Sequence, residues 1–171
     1  MDSSLEKGTT SGNAPGSELL LKLQLPSNPE ALCLVRATLE RATELLHFAA
    51  EESRAIVRSV DEALANVMRH AYEGKKGLPI EISCWKLHDP NVIQGNAPIG
   101  IEILLEDSGL SPDPAKFKGR DLNDIRPGGL GLHFMRQSMD RVEFNREKGK
   151  NQLRMIKYLV PATQVTTPEG E

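Results

Sequence analysis

Two runs of apolar residues lie so close together in this chain that they leave room for little but an antiparallel hairpin. Ile80, Ile82, Cys84 and Leu87 mark residues 79–87 as a strand, and residues 99–105 form a second apolar run. Residues 88–98 between them are polar and rich in turn formers. A parallel pair needs a crossover of a dozen or more residues, usually a helix. The two strands are therefore expected as antiparallel neighbours joined by a surface loop.

The rest of the chain falls into place around that hairpin. Leu19, Leu21, Leu23 and Leu25 recur with a period of two over residues 18–25, which predicts a strand ended by Pro26. Ser27 or Asn28 can cap the helix that follows, with Pro29 near its first position and apolar spacing from residue 30 to 48. A second helix is expected over 51–72, stopped by Gly74 and Gly77. Residues 108–128 have little apolar periodicity, and a segment that long and irregular is either functional or disordered. Residues 130–140 read as a third helix, and 142–145 with 152–160 as a last hairpin around residues 147–150.

The order strand, two helices, two strands, loop, helix, two strands predicts an α/β (α+β) chain. It is a two-layer sandwich, with a mixed, mostly antiparallel sheet and the helices on one face. No G-x-G-x-x-G follows a strand and no G-K-[ST] occurs, which excludes the Rossmann and P-loop patterns. The domain is expected over 17–160, between polar tails at 1–16 and 161–171. A net charge of -3 gives no basic footprint for nucleic acid. No apolar run approaches the ~20 residues of a membrane span. The first residues lack the charged-then-apolar layout of a signal peptide, so a cytoplasmic protein is expected. Cys33 and Cys84 have no metal-ligand spacing and read as two small buried thiols.

Several residues carry chemistry. Glu62, Asn66 and His70 stand at successive i, i+4 positions and project from one side of the second helix. Asn66 offers an amide oxygen of the kind Mg²⁺ accepts alongside phosphate and water oxygens. Glu62 can take a proton from an attacking hydroxyl. The alternative for both is an ordinary solvated polar face. His70, near the helix end, reads as a structural carbonyl cap. Asp107, at the end of a buried strand with Gly109 after it, can aim its carboxylate into a cleft to accept from an amino group, or else form an Asx turn. Gly128, Gly129 and Gly131 open the third helix and leave backbone N–H groups uncovered for an anion, unless they form only a flexible turn.

Taken together, three boxes in order resemble those of the anti-sigma-factor serine/threonine kinases, small members of the histidine-kinase-like ATPase superfamily. The first is Glu62-x-x-x-Asn66 followed by His70. The second is Asp107-x-Gly109 with Asp113 and Pro114. The third is Gly128-Gly129-Leu130-Gly131-Leu132 followed by Arg136, Met139 and Asp140. The resemblance covers about residues 17–160 and implies the histidine-kinase-like ATPase fold. It implies that Asn66 coordinates Mg²⁺ between the phosphates of ATP and that Glu62 is the general base. It further implies that Asp107 bonds the adenine amino group, that Gly109 gives the base room and that residues 110–128 form an ATP lid. Gly129 and Gly131 would place amides on the phosphates, and Arg126 would add a guanidinium fork there. Where many superfamily members have a Thr near the phosphates at the start of the last strand, this chain has Asn151.

The activity so implied is phosphorylation of an anti-sigma-factor antagonist on Ser or Thr by a kinase that also sequesters a sigma factor, working as a homodimer. The rival is a catalytically silent ATP-binding module that holds a partner and transfers nothing; a base at Glu62 favours the kinase. The lid expectation is testable. Hydrogen exchange across residues 110–128 should slow when ATP and Mg²⁺ are added, and an unchanged rate counts against a lid.

Overall fold

In the computed structural model, which describes residues 17–89, 97–111 and 130–159, the hairpin is antiparallel. Its strands are β2 (Pro79–His88) and β3 (Pro98–Asp107), with Ile82 opposite Leu105 and Cys84 opposite Ile103. Strand β1 (Ser17–Pro26) flanks β2. On the other side of β3 lies β5 (Lys150–Tyr158), and β4 (Arg141–Glu147) forms the far edge. All four pairings are antiparallel, so the sheet expected as mixed is wholly antiparallel among the described residues. The β4–β5 turn is tight because Lys148 and Gly149 both take positive φ, 51° and 83°, the twist a two-residue hairpin loop needs.

Among the described residues three α-helices form the second layer: α1 (Leu32–Leu45), α2 (Ala50–Asn66) and α3 (Leu130–Ser138). α2 lies in the middle, packed on α1 at one side and α3 at the other. Val35 and Leu39 of α1, Ile56, Val60 and Leu64 of α2 and Met135 of α3 are buried in one core with Ile80, Ile82, Ile101, Ile103, Leu105 and Met155 of the sheet. Each such side chain contributes about 1.5–3 kcal/mol over leaving it exposed. No helix among the described residues is long and apolar enough to cross a membrane.

The departures from the sequence pattern have local causes. A register shift between Leu19 and Leu21 puts Leu19 opposite Trp85 and Leu21 opposite Cys84. Such a bulge reverses the strand's phase, so Leu21 packs on the core while Leu19 is 54% exposed. Asn28 is the cap, accepting from Glu30 N–H, and a 3-10 turn at Pro29–Ala31 leads into α1. Ser27 ties the strand end to a later loop instead, donating to Lys75 O at 2.8 Å and accepting from Leu78 N–H at 3.0 Å. Cys33 is exposed rather than buried, because the core face of α1 carries Val35, Leu39 and Ala42. Cys84 is buried, and desolvation pushes its thiol up to about 12. The second helix does not run as α-helix to residue 72; after Asn66 it widens into a π-helical turn, Val67–Ala71. The expected tails, most of the 88–98 link and the lid beyond Ser111 lie outside the described residues.

The sheet face turned away from the core carries one buried ion pair. Glu102, 2% exposed, accepts two hydrogen bonds from Arg154, both at 2.8 Å. Removing one partner of such a pair leaves an uncompensated buried charge. Arg154→Met should therefore lower unfolding free energy by about 3 kcal/mol in urea titration, and adding Glu102→Gln should restore much of it. A loss below about 1 kcal/mol would mean that the pair behaves like an exposed one.

Candidate functional site

Glu62 and Asn66 sit one turn apart at the end of α2, both half-buried. Neither makes a hydrogen bond or ion pair among the described residues. Facing Glu62 is Gly131, in the first turn of α3. A Cβ built on Gly131 would stand 2.1 Å from Glu62 Oε1 and 2.3 Å from its Cγ and Cδ. Glycine at 131 is what lets that turn lie against the glutamate. Leu130 begins the helix, and Leu132 is half-buried against the core. Arg126, Gly128 and Gly129 lie outside the described residues.

Asp107 ends β3 and is 5% exposed. Its Oδ1 accepts from Gly109 N–H and from Asn151 Nδ2, each at 2.8 Å. The first of these bonds is an Asx turn, the structural alternative for this aspartate. Among the described residues Oδ2 accepts nothing. Burial raises the Asp107 pKa above the ordinary carboxylate range; the Gly109 and Asn151 donors and the Arg146 charge act against that.

The helix side and the strand side meet at the π-helical turn. Leu110 N–H donates to Ala71 O at 2.9 Å, and a Cβ on Gly109 would lie 2.5 Å from that same oxygen. Because the clash would be with backbone, only glycine fits at 109. Tyr72, 4% exposed, donates through Oη to Pro79 O and accepts there from Ser108 N–H at 3.1 Å. Desolvation in that position raises the Tyr72 pKa. The widened turn lets Tyr72 N–H reach Val67 O, so the ring enters the core without an orphaned amide. His70 is exposed and, among the described residues, caps no carbonyl; Arg69 bonds Ala65 O instead.

This arrangement places the Glu62 carboxylate against the start of one helix with Asn66 one turn further along α2, and at the end of a strand a buried carboxylate with an oxygen that accepts nothing among the described residues. Among the described residues no three His, Cys, Asp or Glu side chains converge on a metal position. That donor set fits a cation held by one protein amide oxygen with the rest of its shell from ligand and water, the habit of Mg²⁺. Two participants are hard to see in the sequence. Asn151, expected near the phosphates, is 2% exposed and bonded directly to Asp107, and Arg146 bonds to Asn151 in turn. The one local hint was a carboxamide, a poor strand former, near the start of a strand.

The family model of the histidine kinase-like ATPase domain matches residues 25–157. The serine-protein kinase RsbW of Bacillus pumilus (strain SAFR-032) is 31% identical over 149 residues, covering 82% of this chain and 86% of that protein. RsbW of Oceanobacillus iheyensis is 27% identical over 147 residues, with coverage of 81% and 86%. RsbW of Bacillus subtilis (strain 168) is 27% identical over 148 residues, with coverage of 81% and 85%.

Asp107 offers a stability test with a definite sign. Its folded pKa is raised, so its contribution is favourable below the unfolded value and is lost as pH rises through the folded one. Asp107→Asn keeps an acceptor for both Oδ1 partners and removes the buried charge. In paired urea titrations the variant should match the native chain near pH 3.5 and exceed it at pH 7. An advantage that shrinks as pH rises would contradict the assignment.

Proposed function

We propose that this chain, which belongs to the histidine kinase-like ATPase family, is an ATP- and Mg²⁺-dependent protein serine/threonine kinase. The observation that carries the reading is the pairing of Glu62 with Gly131. It sets a carboxylate against the first turn of α3, where the dipole and free N–H groups favour phosphate. Asp107 Oδ2 accepts from the adenine amino group, while Gly109, lying against Ala71 O, donates its N–H to the other carboxylate oxygen. Gly131, with Gly128, Gly129 and Arg126 before it, supplies amides and a cation to the phosphates. Asn66 Oδ1 holds the metal, which when bound neutralises charge between the phosphates.

The reaction then asks little covalent chemistry of the protein. A Ser or Thr hydroxyl oxygen of the substrate protein bonds to the γ-phosphorus while the bond from that phosphorus to the β,γ-bridging oxygen breaks. Glu62 takes the hydroxyl proton, and ADP leaves. Positioning and charge neutralisation supply most of the acceleration, with the base adding about 10²–10⁴-fold.

The acceptor in this reading is an anti-sigma-factor antagonist, and the second partner is a sigma factor, the chain switching between the two. The chain works in the cytoplasm as a homodimer. The support is the three ordered boxes and relatives named as serine-protein kinases. Incubating the purified chain with the antagonist and labelled ATP tests it. Glu62→Gln should cut transfer at least about 100-fold while ATP affinity stays within about threefold. Undiminished transfer by the variant would remove Glu62 from the mechanism. ATP binding by the native chain with no transfer selects the silent module.

A further inference from the structure

The register of the sheet lines up three polar residues that are far apart in sequence. Asp107 of β3 stands directly opposite Asn151 of β5, and Asn151 directly opposite Arg146 of β4. Directly opposed residues share a face, so the row runs along the core side at the end where Asp107 emerges. Arg146 Nη1 donates to Asn151 Oδ1, and Asn151 Nδ2 donates to Asp107 Oδ1 at 2.8 Å. The orientation of the amide follows from its neighbours, because a guanidinium can only donate and a carboxylate can only accept. The second Nδ2 hydrogen is directed at Leu110 O, 3.0 Å away, and Arg146 also reaches Gly109 O at 3.2 Å.

We propose that Asn151 and Arg146 are positioning residues that set the purine preference of the site: they hold Asp107 as an acceptor for a 6-amino group and against a 6-oxo group. The proposal rests on the nucleotide-binding reading above. With Gly109 N–H and Asn151 Nδ2 both on Oδ1, the carboxylate cannot rotate without losing two bonds. Oδ2 is thereby kept as the free acceptor. An exocyclic amino group donates to it, whereas a 6-oxo group sets oxygen against oxygen and leaves a buried acceptor unpaired. The same two side chains pin the carbonyls of Gly109 and Leu110, so the backbone after Asp107 is held with the carboxylate. The Asn151 bond and the Arg146 charge also favour the ionised form that burial disfavours, and a protonated Asp107 could donate to a 6-oxo group. Losing either residue therefore erodes discrimination from two directions.

The test compares ATP and GTP affinities by calorimetry at pH 7.5 with Mg²⁺, alongside thermal midpoints, for the native chain and three variants. The native chain should prefer ATP by about 100-fold or more, in line with sites built around a hydrogen-bonding group. Asn151→Leu, which removes every bond of the amide, should cut that ratio about tenfold or more, the loss of one good hydrogen bond. Arg146→Met, at an exposed position that leaves the fold intact, should cut it about threefold or more. Asn151→Thr should stay within about threefold of native, since its hydroxyl can donate to Asp107 and accept from Arg146. A purely structural role predicts a lower midpoint, or equal losses for both nucleotides, with the ratio unchanged; that outcome overturns the proposal. So does a native chain that binds both nucleotides equally. If Asn151→Leu does not fold, the Arg146→Met ratio decides. A native chain that binds neither nucleotide overturns the functional reading itself, which separates the two failures.

Discussion

The bond from Leu110 N–H to Ala71 O joins the two halves of the site. It ties the backbone just past β3 to the π-helical turn that closes α2, and Gly109 is bare of a Cβ because that carbonyl is in the way. Tyr72 reinforces the junction from one residue further, with its hydroxyl shared between Pro79 O and Ser108 N–H. Asn66 lies immediately before the turn and Asp107 immediately before the loop. The separation of Asn66 from Asp107 is therefore set by a short run of backbone and Tyr72 hydrogen bonds. An ordinary α-helical turn from 67 to 71 would alter the direction of the exit and the reach of the Tyr72 hydroxyl together.

Two buried carboxylates on β3 illustrate different solutions to one cost. Glu102, on the sheet face away from the helices, is neutralised by a bidentate arginine that engages both of its oxygens. Asp107, on the core face, receives only neutral donors directly, on one oxygen, and its nearest cation acts through Asn151. The first arrangement serves the fold. The second leaves one oxygen without a partner among the described residues, at a cost in stability that burial of the charge imposes.

Much of this was legible before the structure. Strand periodicity, the Asn28–Pro29 helix start and the Lys148–Gly149 turn are local signals, and each produced the element it implied. The boxes holding Glu62, Asn66, Asp107 and Gly131 were also readable, since each lies within a few residues of chain. What the pattern hid was set by contacts distant in sequence. The β1 bulge depends on the register with β2, and the π-helical turn depends on where Tyr72 finds its partners. Asn151 belongs to Asp107 across 44 positions, through a pairing that exists only because β5 lies between β3 and β4. The asparagine that stands where many superfamily members have Thr is, in the folded chain, the middle of a hydrogen-bonded row.

The central claim is that one nucleotide spans the junction, its base on Asp107 and its phosphates between Asn66 and Gly131. A crystal structure of the chain with a non-hydrolysable ATP analogue and Mg²⁺ measures both ends at once. The account predicts the adenine amino nitrogen about 3 Å from Asp107 Oδ2 and the metal about 2.1 Å from Asn66 Oδ1. An analogue bound with its base turned away from Asp107, or with its metal out of reach of Asn66, would contradict it.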